Sequence, residues 1–330
     1  MAVFLALAIL VAPGNSVKRC FLPGWVLWLG LIVVGEPSQA AIPTHTVEAA
    51  LPRVLCLQAR TQAGRHRFGA AVQLIPGRLL TVWHEIDGAT SIDAFTQDEL
   101  WSPARVIKYD AGMDLALLEV ALQDGTIVLN PSPPVPGAPV FTVGCPKGAG
   151  QTPHEGVIRR FQRIDGRSLL QISMAIVEGD SGAPVFDAQG RMIGLIRGYG
   201  RERPRLGYAI PAGDLVRFLR QADFPLGQVV DFLELQRALD RGEPQAVSLL
   251  QELAQDRQPD PRPYRLLARF HRRLGDYSKA LTYLFGAAER DPNDPQVFDA
   301  LCRTYAALGW QAAERRACAY ADSLQRKEGL

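Results

Sequence analysis

The apolar segments between Val47 and Leu219 constrain the fold more than any other feature of the sequence. Short runs rich in Val, Ile, Leu and Phe recur there at nearly regular spacing, separated by Gly, Pro and Asp. This pattern, with no helical periodicity between the runs, is typical of a β-barrel or a β-sandwich. The predicted strands are Val54–Leu57, Ala70–Leu74, Leu79–Val82, Ala104–Ile107, Leu115–Val120, Val140–Val143, Leu169–Ile172, Pro184–Phe186 and Met192–Ile196. The proline-rich segment 131–136 between them indicates a connector between two β subdomains.

The pattern changes after Pro211. Leu215, Val216, Phe218 and Leu219 have helical spacing, and they predict a helix that closes the β region. From about Gly227 to the end, helical patterns alternate with short breaks at Gly, Asp or Pro. The sequence therefore predicts an all-β part followed by an all-α part, and 330 residues are enough for about two domains.

The clearest helical unit, Pro261–Asp294, resembles a tetratricopeptide repeat. It has the repeat's period of 34 residues, a Gly275-Asp276-Tyr277 turn, and small residues such as Ala280 that let two helices approach closely. The pattern restarts at Phe298, and residues 228–260 look like a weaker preceding copy. About three such repeats are needed for a stable stack. Generic antiparallel helices are the alternative.

Composition excludes several classes of function. Hydrophobic residues make up 47% and charged residues 21%, which is typical of a globular protein. The net charge of +2 is too small to favour binding to nucleic acid or to an anionic membrane. The five cysteines form no C-x-x-C pair and no cluster with histidine, so we expect neither a metal site nor a cofactor.

Residues 1–40 have the features of a signal peptide. Lys18 and Arg19 precede the apolar run Phe21–Val34, and Ser38-x-Ala40 fits a cleavage site after Ala40. The run is short and interrupted for a membrane span, although an uncleaved N-terminal anchor is the alternative. We therefore expect an exported protein, periplasmic or secreted, that touches a membrane only through this segment if it is not cleaved.

The segment Glu178–Val185, EGDSGAPV, places Ser181 among glycines. Glycine lets the backbone turn sharply and present the hydroxyl, and small residues leave main-chain N–H groups free to face a bound carbonyl. An acyl-transfer nucleophile needs both properties. An ordinary glycine turn is the alternative for this segment taken alone.

A serine nucleophile needs a histidine base, and the base needs a carboxylate on its other nitrogen. His84 follows the predicted strand Leu79–Val82, where the end of a strand can hold an imidazole in place. The other histidines are less suitably placed: His45 beside the cleavage site, His66 in a polar stretch, His154 in a loop before a strand and His271 on a repeat helix. Asp114 opens an apolar strand, where a buried carboxylate needs a partner. The order His84, Asp114, Ser181 is that of chymotrypsin-type enzymes.

These residues lie in segments that resemble a trypsin-like serine protease, and most of all its HtrA/Deg branch. The segments are RFGAAVQLIPGRLLTVWHEIDGA, ARVIKYDAGMDLALLEV, VFTVGCPKGAG, LLQISMAIVEGDSGAPVFDAQGRMIGLIRG and GYAIPAGDLVRFL. The resemblance covers residues 50–220. It implies two orthogonal β-barrels with the site in the cleft between them, and polypeptide substrates. A PDZ domain usually follows in HtrA proteins, and the tail of this sequence does not resemble one.

The resemblance also implies a role for each matched residue. Ser181 attacks the scissile carbonyl, His84 carries the proton, and Asp114 holds the imidazole in the required tautomer. The backbone N–H groups of Gly179 and Ser181 form the oxyanion hole.

Four positions near the site depart from the family pattern. Trp83 and Glu85 flank the histidine, where either could reshape the mouth of the cleft. Ala183 replaces the second glycine of GDSGGP, and Asp180 stands where HtrA proteins usually carry Asn. In trypsins, the aspartate at this position pairs with the N-terminus that activation creates. The sequence does not identify a partner for Asp180.

Alignment with trypsin predicts a substrate pocket around Ala175. Trypsin has an acid at this position, and the alanine disfavours cleavage after Lys or Arg and favours a small or medium apolar residue. Arg197, Gly198 and Tyr199 would line one wall. Arg201, Arg203 and Arg205 follow on a loop that is expected to be a solvated surface, and attraction of acidic substrates is the alternative.

The cysteines allow two disulfides. Four remain after removal of the signal peptide, and an even number in an exported chain favours bridges. By analogy with the repeat, Cys302 and Cys318 occupy facing positions on the two helices of the last repeat. Cys56 and Cys145 lie on predicted β-strands, where they either pair or fill the core.

The sequence thus predicts a signal peptide or anchor over residues 1–40, a trypsin-like serine protease domain over 41–223 and a helical repeat domain over 224–330. The first interpretation is an exported serine endopeptidase whose repeats recruit a protein or peptide partner. The alternatives are a catalytically silent protease fold that acts as a repeat scaffold, and a carboxylic-ester hydrolase, against which the order of the three site residues counts.

Overall fold

The computed structural model describes five stretches of the chain, residues 42–96, 101–122, 125–199, 206–255 and 260–328. The predicted signal peptide and its cleavage after Ala40 lie outside these residues, as do Arg201, Arg203 and Arg205. Among the helices in the described ranges, none is long and apolar enough to cross a membrane.

The first half of the β region closes into a barrel of six strands in the order β1-β2-β3-β6-β5-β4. A short helix, α1 (Thr44–Ala50), precedes it, so Val47 lies in a helix and not at the start of the β region as the pattern predicted. The strands are β1 Val54–Thr61, β2 His66–Ile75, β3 Arg78–Thr81, β4 Ala89–Phe95, β5 Trp101–Asp110 and β6 Leu115–Val120.

The second half forms another closed barrel of six strands, in the order β10-β11-β12-β9-β8-β7. The proline-rich segment 131–136 lies between the two barrels, as predicted. The strands are β7 Pro139–Gly144, β8 Thr152–Ile164, β9 Arg167–Ile172, β10 Pro184–Asp187, β11 Met192–Tyr199 and β12 Gly207–Pro211. Paired antiparallel strands use up the backbone donors and acceptors, and closure removes exposed sheet edges.

The predicted strands correspond to nine of these elements because their apolar side chains are buried. Leu79 and Leu80 of β3, for example, point to opposite faces of the strand. Both are completely buried, Leu79 in the core of the first barrel and Leu80 in the larger core that includes the second barrel. The prediction missed β4, β8 and β12. Most positions of β8 are exposed or half-buried, so its sequence lacks the apolar run that marks the other strands.

Helices make up the rest of the described chain. As predicted, α2 closes the β region, with Leu215 and Phe218 completely buried. The following helices form three antiparallel pairs, and each pair turns at a glycine with positive φ: Gly242, Gly275 and Gly309. Glycine adopts this left-handed conformation without a steric cost. The helices are α2 Ala212–Gln221, α3 Phe232–Asp240, α4 Pro244–Ala254, α5 Arg262–Arg273, α6 Tyr277–Arg290, α7 Pro295–Leu308 and α8 Gln311–Glu328.

The first helical pair packs directly on the second barrel. Leu235 of α3 and Leu250 of α4 are completely buried in the same apolar core as the barrel. Leu129, from the connector between the barrels, forms β-bridges with both Met192 and Val230. Arg191 reaches across to Glu234 of α3, with Nη1 3.0 Å from Oε2. The repeats therefore begin as an extension of the barrel core.

Candidate active site

The end of β3 positions His84. The strand runs into a single 3₁₀ turn, Trp83–Glu85, in which the backbone N–H of His84 donates to Asp114 Oδ1 at 3.0 Å. The imidazole Nδ1 lies 2.9 Å from Oδ2 and 3.1 Å from Oδ1 of the same carboxylate. The indole of Trp83 stacks on Tyr109, with ring centroids 3.9 Å apart. The structure thus brings together the predicted base and acid, which are 30 residues apart in the sequence.

Asp114 occupies the turn between β5 and β6, with its side chain buried. Its φ is +60°, a conformation that Asp tolerates better than most residues. Burial alone would raise its pKa, but the hydrogen bonds with His84 and Arg197 outweigh burial and lower the pKa below its ordinary value. Arg197 Nε lies 3.1 Å from Asp114 Oδ2. Asp114 is therefore an ionised carboxylate held by two partners.

Two carboxylates flank the His84 ring. Besides Asp114 at Nδ1, Glu85 places Oε1 3.3 Å from Nε2. Burial alone would lower the pKa of His84, but the hydrogen bonds to Asp114 and Glu85 raise it to about 9. Both carboxylates therefore favour the charged form of the imidazole.

Ser181 lies in a turn held by both barrels. Its carbonyl accepts a hydrogen bond from the Ala70 N–H of β2 at 2.8 Å, and the next N–H, of Gly182, donates to Ile196 of β11 at 2.8 Å. Gly182 has φ +86°, and a Cβ there would lie 2.0 Å from the Ala70 carbonyl oxygen. Only glycine fits this approach, which explains the glycine after the serine.

Among the described residues, no hydrogen bond joins Ser181 Oγ to His84, and His84 Nε2 lies 3.3 Å from Glu85 Oε1. The Ser181 turn and the Glu85 side chain both lie against Gly69 of β2. A Cβ added at Gly69 would be 3.2 Å from the Ser181 carbonyl oxygen and 3.3 Å from Glu85 Cγ.

The backbone before the serine presents two N–H groups. The carbonyl of Glu178 accepts a hydrogen bond from the Lys147 N–H at 3.0 Å. Because the C=O and N–H of a trans peptide point in opposite directions, the N–H of Gly179 faces away from Lys147. Within the described part of the chain, the N–H groups of Gly179 and Ser181 have no hydrogen-bond acceptor. Both can therefore donate to a ligand.

Asp180 is completely buried behind the serine. Its Oδ2 accepts a hydrogen bond from the Val177 N–H at 2.9 Å. Among the described residues, its ion-pair neighbour is the imidazole of His154, with Nε2 3.9 Å from Oδ2. This histidine lies within β8 and not in a loop as the sequence indicated. Burial raises the pKa of Asp180, and the Val177 N–H and His154 offset this only in part. Gly144 leaves room for the carboxylate, since a Cβ there would be 1.9 Å from Asp180 Oδ1.

A cavity of about 670 Å³ opens beside His84 and Asp114. Three of the residues predicted for the pocket wall line it, namely Arg197, Gly198 and Tyr199. Ala175 is exposed and does not line this cavity. Trp83, which the sequence marked as able to reshape the mouth of the cleft, also lines the cavity. The sequence did not single out the other apolar and aromatic lining residues, Ile164, Leu169 and Tyr208.

Both candidate cysteine pairs are disulfides. Cys56 of β1 is bonded to Cys145, which follows β7, so this bridge joins the two barrels. Cys302 and Cys318 join α7 to α8. In the ranges that the structure describes, no group of three His, Cys, Asp or Glu side chains could hold a metal ion.

Comparison with family models assigns both parts of the chain. Residues 69–195 match a trypsin-like peptidase domain, and residues 243–303 match a tetratricopeptide repeat. The predicted domain types are therefore confirmed.

Individual relatives agree with this assignment. Serine protease Rv3671c of Mycobacterium tuberculosis is 26% identical over 198 residues, which cover 56% of this chain and 50% of that protein. A probable periplasmic serine endoprotease DegP-like of Marinomonas sp. is 33% identical over 129 residues, covering 36% of this chain and 27% of that one. The crystal structure of Rv3671c protease in its active form has a TM-score of 0.52 at 25% identity, covering 62% of this chain and 93% of that chain. The chain spans about half the length of the curated relatives it matches first.

Proposed function

We propose that this chain, which carries a trypsin-like peptidase domain of the HtrA/Deg type followed by tetratricopeptide repeats, is an exported serine endopeptidase. Residues 1–40 would direct export or anchor the chain, residues 41–223 would cleave polypeptides, and residues 224–330 would recruit a protein or peptide partner. The contact of His84 Nδ1 with the buried Asp114 carboxylate, next to the Ser181 turn, carries this proposal.

Catalysis would use these three residues in sequence. As Ser181 Oγ bonds to the scissile carbonyl carbon, its proton passes to His84 Nε2, and the carbonyl oxygen becomes an oxyanion. The C–N bond then breaks, the His84 proton goes to the leaving amine, and an acyl-enzyme forms. Water repeats the cycle, giving one proton to His84 and its hydroxyl to the acyl carbon, after which Ser181 recovers its proton. Asp114 keeps Nδ1 protonated and stabilises the imidazolium.

The oxyanion would be stabilised by the N–H groups of Gly179 and Ser181. A single donor of this kind contributes about 3–4 kcal/mol to the transition state. The hydrogen bond from Lys147 to the Glu178 carbonyl supports this role, because it orients the Gly179 N–H away from Lys147 without using it.

Substrate side chains would bind in the cavity beside His84. Arg197, Gly198 and Tyr199 form part of its lining together with apolar residues. The guanidinium of Arg197 already contacts Asp114 and lies 3.9 Å from Asp165, so it is engaged within the protein. We therefore expect cleavage after small or medium apolar residues. A peptide-library profile dominated by Lys or Arg would contradict this.

Export is supported by the two disulfides, since such bonds persist in oxidising compartments outside the cytosol. A periplasmic relative fits the same location. N-terminal sequencing of the purified protein tests the predicted cleavage, and a mature chain that starts upstream of Lys18 would contradict it.

The contact between His84 Nε2 and Glu85 favours a second candidate, a catalytically silent scaffold whose repeats bind partners. Hydrolysis of an unfolded protein such as casein separates the two. The endopeptidase proposal expects cleavage by the wild type and a loss of at least about 1,000-fold in Ser181→Ala and Asp114→Asn. Asp322→Asn, an exposed carboxylate on α8, is the matched control and should cleave like the wild type. Equal hydrolysis by all variants, or none by the wild type, would overturn the proposal.

A further inference from the structure

Each ring nitrogen of His84 faces a different carboxylate. Nδ1 contacts Asp114, as the proposed catalytic arrangement requires, whereas Nε2 lies 3.3 Å from Glu85 Oε1. Carboxylates on both sides favour the imidazolium, in which both ring nitrogens carry a hydrogen and neither can accept the proton of Ser181. The contact therefore holds His84 in a form that cannot act as a base.

Glu85 packs against the same glycine of β2 as the Ser181 turn. Its side chain is only 17% exposed and lies over Gly69 of β2, where a built Cβ would be 3.3 Å from Glu85 Cγ. The same Cβ would be 3.2 Å from the Ser181 carbonyl oxygen. A larger residue than glycine at position 69 would push Glu85 away, so the backbone of β2 provides the room that this side chain occupies.

The geometry points to Glu85 as a positioning residue that occupies Nε2 of His84 in the resting protein and that withdraws before Ser181 is activated. This inference rests on the proposed catalytic role of His84. Glu85 is suited to withdrawal because, among the described residues, its carboxylate accepts no hydrogen bond and has no ion-pair partner other than His84. Its release breaks a single contact.

The carboxylates around His84 favour its protonated form, so the contact with Glu85 should weaken when the imidazole loses its proton. Burial lowers the pKa of His84, but the hydrogen bonds to Asp114 and Glu85 raise it to about 9. The other groups that face the pair from neighbouring elements are Arg67 of β2, which donates to the His84 carbonyl, Asp87 of the same loop, Arg197 of β11, Asp165 before β9, and the phenols Tyr199 and Tyr208. Removing the Glu85 charge leaves one carboxylate on the ring, so the neutral imidazole should appear at lower pH.

The test compares Glu85→Gln, which keeps the shape of the side chain, with Glu48→Gln, an exposed site on α1. The titration of His84 is followed by NMR in the Ser181→Ala background, where the chain cannot digest itself. In parallel, the rate of labelling by a fluorophosphonate is measured against pH in proteins that retain Ser181. Thermal unfolding establishes that every variant is folded.

We expect Glu85→Gln to lower the His84 midpoint by about one pH unit or more, because a neighbouring opposite charge shifts a pKa by that amount. Labelling at neutral pH should then increase about tenfold, since the neutral fraction rises tenfold per unit. Glu48→Gln should change neither value. A His84 midpoint that does not move in Glu85→Gln, or labelling that weakens in this folded variant, would overturn the inference.

The two readouts separate this inference from the proposed function. Wild type that labels at Ser181 while its His84 midpoint is unaffected by Glu85→Gln overturns the inference alone. Wild type that resists labelling at every pH, together with a shifted midpoint, overturns the proposed function and supports the contact between Glu85 and His84.

Discussion

Cys56 of the first barrel is bonded to Cys145 of the second, across a sequence separation of 89 residues. Cys145 opens the turn in which Lys147 holds the Glu178 carbonyl, immediately before the Ser181 turn. The bridge therefore links the second-barrel turn beside the candidate site covalently to β1 of the first barrel. The other disulfide, Cys302–Cys318, spans 16 residues within one pair of helices.

The difference in span predicts a difference in stability. A bridge lowers the entropy of the unfolded chain more when it closes a longer loop, by about 3 kcal/mol for a short loop and about 4–5 kcal/mol for one near a hundred residues. Cys56→Ser should therefore reduce the free energy of unfolding more than Cys302→Ser. Urea unfolding of the two variants under identical conditions measures this, and a larger loss for Cys302→Ser would contradict it.

Gly144→Ala should disturb the turn behind the serine. The added Cβ would lie 1.9 Å from Asp180 Oδ1 and 2.6 Å from its Cγ, and this carboxylate is buried with no room to retreat. Overpacking of this kind destabilises a protein by about 1–3 kcal/mol. The melting temperature and the fluorophosphonate labelling should both fall.

Gly213→Ala is the matched control for this substitution. Its Cβ would be 4.0 Å from the nearest atom, the Pro131 carbonyl oxygen, in the first turn of α2. Because alanine favours a helix over glycine, this variant should be as stable as the wild type or more so. Equal melting temperatures for the two variants would show that the space beside Asp180 has no effect.

Arg191 should stabilise the contact between the second barrel and the repeats. Its guanidinium lies 2.8 Å from Asp187, 3.2 Å from Asp231 and 3.0 Å from Glu234. Removing a partner of partly buried charges costs about 1.5–3 kcal/mol per hydrogen bond to a charged group. Arg191→Ala should therefore lower the free energy of unfolding by at least that amount.

An exposed ion pair provides the comparison. Arg303 pairs with Asp299 on the surface of α7, with side chains 64% and 36% exposed. Exposed pairs contribute about 0–1 kcal/mol. Urea unfolding of Arg303→Ala should show a small loss, and a loss as large as that of Arg191→Ala would contradict the role of Arg191 at the interface.

Asp180 should make stability depend on pH. Its pKa is raised by burial, so the folded state keeps a proton that the unfolded state has already released. Stability then falls as the pH rises from the ordinary range of aspartate through the raised pKa. Asp180→Asn removes this loss and should be more stable than the wild type at neutral pH.

The free energy of unfolding, measured by urea at a series of pH values, tests this. The stability curve of Asp180→Asn should be flatter than that of the wild type over this range, whereas that of Asp322→Asn, an exposed position, should run parallel to the wild type. A curve for Asp180→Asn that parallels the wild type would contradict the raised pKa of Asp180 in the folded protein.

Sequence alone predicted the elements whose identity depends on local pattern. The apolar runs around Leu79 and Leu115 became buried strands because their side chains pack alternately into two apolar cores, one on each face of the sheet. The 34-residue unit became α5 and α6, with its turn at Gly275. The prediction missed β8 because most of its positions are exposed or half-buried, so it lacks an apolar run. Its pairing with β7 and β9 depends on closure of the whole barrel, which no local sequence pattern shows.

In the candidate site too, the sequence predicted what depends on local pattern and missed what depends on distant contacts. His84 and Asp114 were identified because each adjoins an apolar strand and their order matched that required for Ser181. The contacts that define their state were not predictable. Arg197 reaches Asp114 from another barrel, 83 residues away in the sequence. Glu85 was noticed only as a departure from the family pattern, since nothing in the sequence tells which way a side chain beside the histidine turns.

Covalent labelling of Ser181 tests the central claim most directly. The purified protein is treated with a fluorophosphonate, digested, and mapped by mass spectrometry, with Ser181→Ala and with protein unfolded in urea before treatment as controls. The account predicts a single modified residue, Ser181, in the folded wild type and no modification in either control. Modification that persists in Ser181→Ala, or a folded wild type that stays unmodified across the pH range in which His84 is neutral, would contradict it.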